Sequence, residues 1–305
     1  MRFRVTDAEG RPVNGARVTV TGDALSVRAR THADGGWDFV PGALGETAGG
    51  ALTATVEAMG QRVTRPVPEG EDPEVSVRLE GTTRAPTRLD LAFVLDVTGS
   101  MGDELDYVTR EVSGVVRRVQ SSVDCPDVRV SATFYQDRSD PLVVQQIAFT
   151  PDVDAFARVM GGVSAGGGGD YPEEMNAGLE AALRRLPWSD GDAVRVVVLI
   201  ADAPPHVYPD AQYTWRDALR DATERGVRVL PVAASGADRA VEYLFRAMGA
   251  ATTAPYVHLT DDSGIGGHHL AADSHPTPVE RFNDLLTRML VSELRGEGMH
   301  AAAQR

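Results

Sequence analysis

The sequence contains no lysine; all 30 of its basic residues are arginine. Schiff-base catalysis and lysine-dependent phosphate loops are thereby excluded. The absence reads as the codon usage of a GC-rich bacterial genome, since nothing else in the chain points to avoidance of a lysine-directed modification. Cysteine is almost as scarce. The single Cys125 admits no internal disulfide, and its acidic setting, Val123-Asp-Cys-Pro-Asp127, disfavours a thiolate. Basic charge is in deficit, with 30 basic against 44 acidic residues and a net charge of -14, which opposes general affinity for nucleic acid or an anionic membrane. No apolar run reaches membrane-spanning length, and Met1-Arg-Phe-Arg-Val5 leads straight into a strand pattern with no apolar signal segment. These features predict a cytoplasmic protein. What is present is an ordinary globular composition, 42% hydrophobic and 24% charged over 305 residues, enough for two domains with a sizeable core.

Residues 1–82 read as a small antiparallel β-sandwich. Phe3 and Val5 alternate with polar residues, Pro12-Val-Asn-Gly15 turns into Arg17-Val-Thr-Val20, and Asp34-Gly-Gly36 turns into Trp37 and Phe39. Further short strands are predicted over 52–56, 61–67 and 75–79, with Asp34 and Asp38 as turn formers. The passage VTDAEGRPVNGARVTV followed by THADGGWDF resembles the carboxypeptidase regulatory-like (transthyretin-like) β-sandwich domains. Residues 83–87 form a hinge whose shortness implies two packed domains.

From residue 88 to 294 the pattern alternates between β and α, which predicts a Rossmann-like α/β domain: a mostly parallel central sheet, one antiparallel edge strand, helices on both faces. Its centre is the run Leu91-Ala-Phe-Val-Leu95, apolar throughout as a doubly buried strand requires. It breaks into Asp96, Thr98, Gly99 and Ser100, and an amphipathic helix follows with Leu105, Val108, Val112, Val115, Val116 and Val119 on one face. Strands over 128–135 and 142–149, joined by a hairpin-like turn, put the antiparallel member at an edge. The closing helix carries Phe282, Leu286 and Leu290, and residues 295–305 read as a flexible tail.

Three loops carry oxygen donors to one sheet edge: Asp96-Val-Thr-Gly-Ser100, the glycine run ending in Asp170, and Asp202 after a second buried strand. Carboxylates and hydroxyls are hard ligands, suited to Mg²⁺, with Ca²⁺ or Mn²⁺ possible. On these residues the chain resembles the von Willebrand factor A (vWA) domains that carry a metal-ion-dependent adhesion site. The family's Asp-x-Ser-x-Ser motif matches Asp96-Val-Thr-Gly-Ser100 with Thr98 for the middle serine, and its third-loop aspartate matches Asp202. Asp170 stands where a threonine is usual. The set GGGDYPE, LIADAPPH and HLTDDSGIGGHH resembles a bacterial branch of that family. The resemblance implies metal ligation by Asp96, Thr98, Ser100, Asp170 and Asp202, with Gly99, Met101, Glu173 and His206 around the ion or against a partner.

Acidic residues at 103, 104 and 106 suit the dipole of the helix that follows the first loop. His268, His269 and His275 form a further loop candidate for metal or partner contact, although adjacent histidines point apart. No histidine is placed beside Ser100 to make it a nucleophile. The function expected is a non-enzymatic, metal-dependent protein-binding module whose partner docks on the metal-bearing loop edge. A metal-assisted hydrolase at the same site, and a structural subunit of a larger bacterial assembly, are the alternatives.

Overall fold

The computed structural model describes residues 1–70, 72–124, 127–234, 236–259 and 281–303. Cys125 and the histidines at 268, 269 and 275 lie outside the described residues.

The N-terminal region comprises β1(Arg2–Thr6), β2(Arg17–Thr21), β3(Ser26–Arg30), β4(Gly36–Asp38), β5(Thr53–Ala58), β6(Gln61–Pro66) and β7(Glu74–Arg78). They form two sheets, ordered β4-β1-β7 and β3-β2-β5-β6. Period-two burial drives this arrangement: Phe3 and Val5, Val18 and Val20, Ala54 and Val56, Val75 and Val77 all face inward. Trp37 stacks on Phe3 at 5.2 Å and lies 5.5 Å from Phe39. The turn into β4 depends on Gly35, at φ 71°, where a Cβ would sit 2.4 Å from the Val5 carbonyl. One expectation is corrected. The sandwich is not wholly antiparallel, because β7 returns after the β5–β6 hairpin and pairs with β1 in parallel.

Beyond it follow β8(Arg88–Asp96), α1(Gly102–Ser122), β9(Asp127–Tyr135), β10(Val144–Thr150), α2(Val153–Met160), α3(Met175–Glu180), β11(Val194–Ala201), α4(Trp215–Arg225), β12(Val227–Ala233), α5(Arg239–Ala251), β13(Val257–His258), α6(Phe282–Leu294) and α7(Met299–Ala303). The six strands order as β10-β9-β8-β11-β12-β13, parallel except for β10 at the edge. Alternate residues of β8 divide between two cores. Leu91, Phe93 and Leu95 pack with Val108 and Val112 of α1, Phe156 of α2 and Leu286 of α6. Ala92 and Val94 share the opposite core with Leu179 of α3, Leu219 of α4 and Phe245 of α5, which runs on into Val18 and Trp37 of the sandwich.

Space on that second face is tight. Gly178 of α3 lies over the buried Tyr135, and a Cβ there would come within 2.6 Å of the ring. An exposed helical glycine gains stability on becoming alanine, but this one should lose it: Gly178→Ala is expected to cost about 1–3 kcal/mol, read as a lower urea midpoint.

The two regions are locked by charge as well as by apolar packing. Arg228 at the start of β12 is 1% exposed and pairs with Asp34 of the sandwich and Glu293 of α6, each at 2.9 Å. Its guanidinium also donates to the Thr253 carbonyl. Asp34 is thus more than a turn former. The expected flexible tail is likewise corrected. Met299 is fully buried in α7, and Gly296 and Gly298 pass close against Pro12, Ala33 and Asp34. A segment without periodicity becomes ordered because it covers the junction of the two regions.

Candidate metal centre

The carboxyl ends of β8, β9 and β11 meet at one rim, where their side chains leave the apolar interior. Asp96, the last residue of β8, is 1% exposed. Both the N–H and the hydroxyl of Thr98 donate to its Oδ1, at 2.9 and 2.7 Å. Its Oδ2 is buried and makes no hydrogen bond of good geometry, although the Tyr135 hydroxyl lies beside the carboxylate and helps hold its pKa down. Burial pushes the Asp96 carboxyl up to about 7, and the nearby Asp202 adds to that rise against the Thr98 hydrogen bonds. Asp202, 7% exposed after β11, is raised by its own burial and by Glu104, while the facing Ser100 hydroxyl lowers it in part. Four of the residues expected at a metal, Asp96, Thr98, Ser100 and Asp202, are therefore brought together.

Glycines let the second loop close on the first. The Gly166 N–H donates to the Val97 carbonyl at 2.9 Å, and the Gly99 N–H to the Gly167 carbonyl at 3.3 Å. Gly168, at φ 78°, leaves no room for a Cβ, which would fall 2.9 Å from Glu173 Oε1 and 3.2 Å from Thr98 Cβ. The loop then passes Asp170 to Glu173, whose backbone is held against the third loop. Its N–H donates to the Pro204 carbonyl at 3.0 Å, and its carbonyl accepts the His206 N–H at 3.1 Å.

Glu173 is 4% exposed and its Oε2 has no partner. Burial raises its carboxyl to about 8, helped by Asp96, Asp137, Asp140 and Asp202. Asp170, by contrast, has its side chain 61% exposed, and its Oδ1 lies 3.8 Å from His206 Nε2. The carboxylate buried between Asp96 and the third loop is thus Glu173, three residues further on. His206 Nε2 lies 3.1 Å from Asp137 Oδ1. Gly99 is exposed, whereas Met101 is 1% exposed and packs in the α1 core, so it can touch no partner.

Sequence reasoning missed Asp137, Asp140 and the burial of Glu104. The first two read as turn residues, and they are: Asp140 Oδ2 accepts the N–H of Asp137 at 3.1 Å and of Gly168 at 2.8 Å. The available signal was topological, since the turn that holds them ends β9, the strand beside β8. Glu104 is 2% exposed although it lies in the first turn of α1.

The sequence pattern of the von Willebrand factor A domain matches residues 90–264. An ariadne-like RING finger protein of Acanthamoeba polyphaga mimivirus is 31% identical over 121 residues, 39% of this chain and 11% of that protein. Mouse (Mus musculus) von Willebrand factor A domain-containing protein 7 is 34% identical over 97 residues, 32% of this chain and 10% of its own length. The chain thus spans about a tenth of these relatives. Among solved structures, the pilus adhesin SpaC of Lactobacillus rhamnosus GG, in its open conformation, overlaps 80% of this chain and 31% of its own, at 14% identity and a TM-score of 0.45. Among the described residues no helix is long and apolar enough to cross a membrane. With more than half its length matched by the family's pattern, and a six-stranded, mostly parallel sheet preceded by a β-rich region, the chain belongs to the von Willebrand factor A domain family.

Proposed function

We propose that this chain is a non-enzymatic binding module that holds Mg²⁺ at the loop edge and docks a protein partner there. Asp96, Asp202 and Glu173 supply the carboxylates, Thr98 and Ser100 the hydroxyls. The same oxygens admit Ca²⁺ or Mn²⁺. The carrying observation is the Asp96 Oδ2, buried without a hydrogen bond of good geometry and within reach of a second carboxylate. A buried, unpaired carboxylate is costly, and a hard divalent ion satisfies both its charge and its lone pairs. A bound ion supplies positive charge at an open rim, and the docking surface around it is partly apolar: Val207 is 94% exposed at the tip of the third loop and Tyr171 46% exposed on the second.

The test is calorimetric titration of chelator-stripped protein with Mg²⁺. Wild type is expected to bind, and Asp96→Asn to lose at least tenfold in affinity; equal binding by both would overturn the assignment. With a partner in hand, capture should be reversed by chelator and lost in Val207→Asp, a variant that keeps its Mg²⁺ binding.

A further inference from the structure

Beside that site lies a second group of donors that the reading above does not use. Asp137, Asp170 and His206 come from three different loops, and one ligand atom from each lies within 4.8 Å of the others. His206 Nε2 is 3.1 Å from Asp137 Oδ1 and 3.8 Å from Asp170 Oδ1. Neighbouring donors around an ion with bonds of about 2.1 Å stand roughly 3.0–3.4 Å apart, so small adjustments of the exposed Asp170 suffice.

The ring of His206 is fixed for such a role. It stacks on Tyr208 at 4.9 Å, and its backbone is tied to Glu173. Among the described residues no guanidinium pairs with Asp137: Arg138, the residue that follows it, turns to Glu174 at 2.7 Å and lies over Tyr208 at 3.6 Å. The independent sign of a missing ligand is Glu173. It is tied by its backbone to His206, is 4% exposed with an unpartnered Oε2, and its carboxyl feels the charges of Asp96, Asp137, Asp140 and Asp202.

We propose that Asp137, Asp170 and His206 form a second cation site for a divalent ion that accepts imidazole, such as Zn²⁺ or Mn²⁺. The imidazole sets its preference, since nitrogen suits Zn²⁺ best, is accepted by the harder Mn²⁺, and disfavours Mg²⁺ and Ca²⁺. The second site differs from the first in its imidazole, and the backbone bond between His206 and Glu173 connects the two. Occupying the second would fix the glycine loop against the third loop and so shape the rim on which a partner docks.

Mn²⁺ binding to the full, chelator-stripped chain tests this by stoichiometry and by electron spin echo spectroscopy. Wild type is expected to bind two ions, one of them with a nitrogen coupling. His206→Gln should lose that coupling and one ion. Asp170→Asn, exposed and harmless to folding, should weaken the same ion about tenfold. Asp96→Asn should lose the other ion and keep the nitrogen-coupled one, which separates failure of this site from failure of the first. A nitrogen coupling that survives in His206→Gln, or no coupling in wild type, overturns the proposal.

Discussion

Arg228→Met should lower the stability of the chain by about 3–5 kcal/mol, a drop of roughly 10 °C in melting temperature. The guanidinium is fully enclosed between Asp34 and Glu293, and it holds the Asp34 carboxyl below the usual range although burial opposes this. Glu293 is 1% exposed and its carboxyl is raised by burial, and among the described residues only the Ala33 N–H, at 3.2 Å, is left to replace the lost cation. Removing one member of such a group leaves an uncompensated charge; removing all three charges leaves a neutral junction. Arg228→Met combined with Glu293→Leu and Asp34→Asn should therefore recover more than half of the loss. Thermal denaturation of the single and combined variants measures this. A single-variant cost below about 1 kcal/mol would mean that water reaches the junction.

Much of this architecture was legible in the sequence because its signals are local. The run from Leu91 to Leu95 is what a doubly buried strand requires, and the break at Asp96 marks its end. Asp202 follows β11 in the same way, so parallel topology alone carries both residues to one rim. What escaped was non-local. Arg228 is the one charged residue of an otherwise apolar strand, and its partners lie nearly two hundred residues earlier and sixty-five later. Glu173 owes its position to a bridge with Pro205, so nothing between Asp170 and Glu173 told which carboxylate would turn inward. The parallel pairing of β7 and the order of α7 are tertiary facts of the same kind, fixed by packing partners rather than by periodicity.

The second large effect concerns the loop edge and reverses sign with metal. In chelator, Glu173→Gln is expected to be more stable than wild type above neutral pH, and in Mg²⁺ less stable. The Asp96 and Glu173 carboxyls rise to about 7 and about 8 in the fold, from unfolded values near 4. For an acid so raised, the folded chain holds the extra protons between about pH 4 and pH 8, and stability falls as pH climbs through that window. The difference between wild type and Glu173→Gln isolates this slope from the buried His32, whose lowered value contributes the opposite trend, stability lost as pH falls below its unfolded value near 6.5. A divalent ion replaces those protons. At about a hundred times its dissociation constant it adds about 2.7 kcal/mol to the wild type and flattens the slope, because bound carboxylates stay ionised. Melting curves of both proteins at about pH 5 and about pH 8.5, with chelator and with Mg²⁺, contain the whole comparison. If the two melting temperatures differ by the same amount in all four conditions, Glu173 is a packing residue, and the orphaned oxygens at this rim have some other cause than an absent cation.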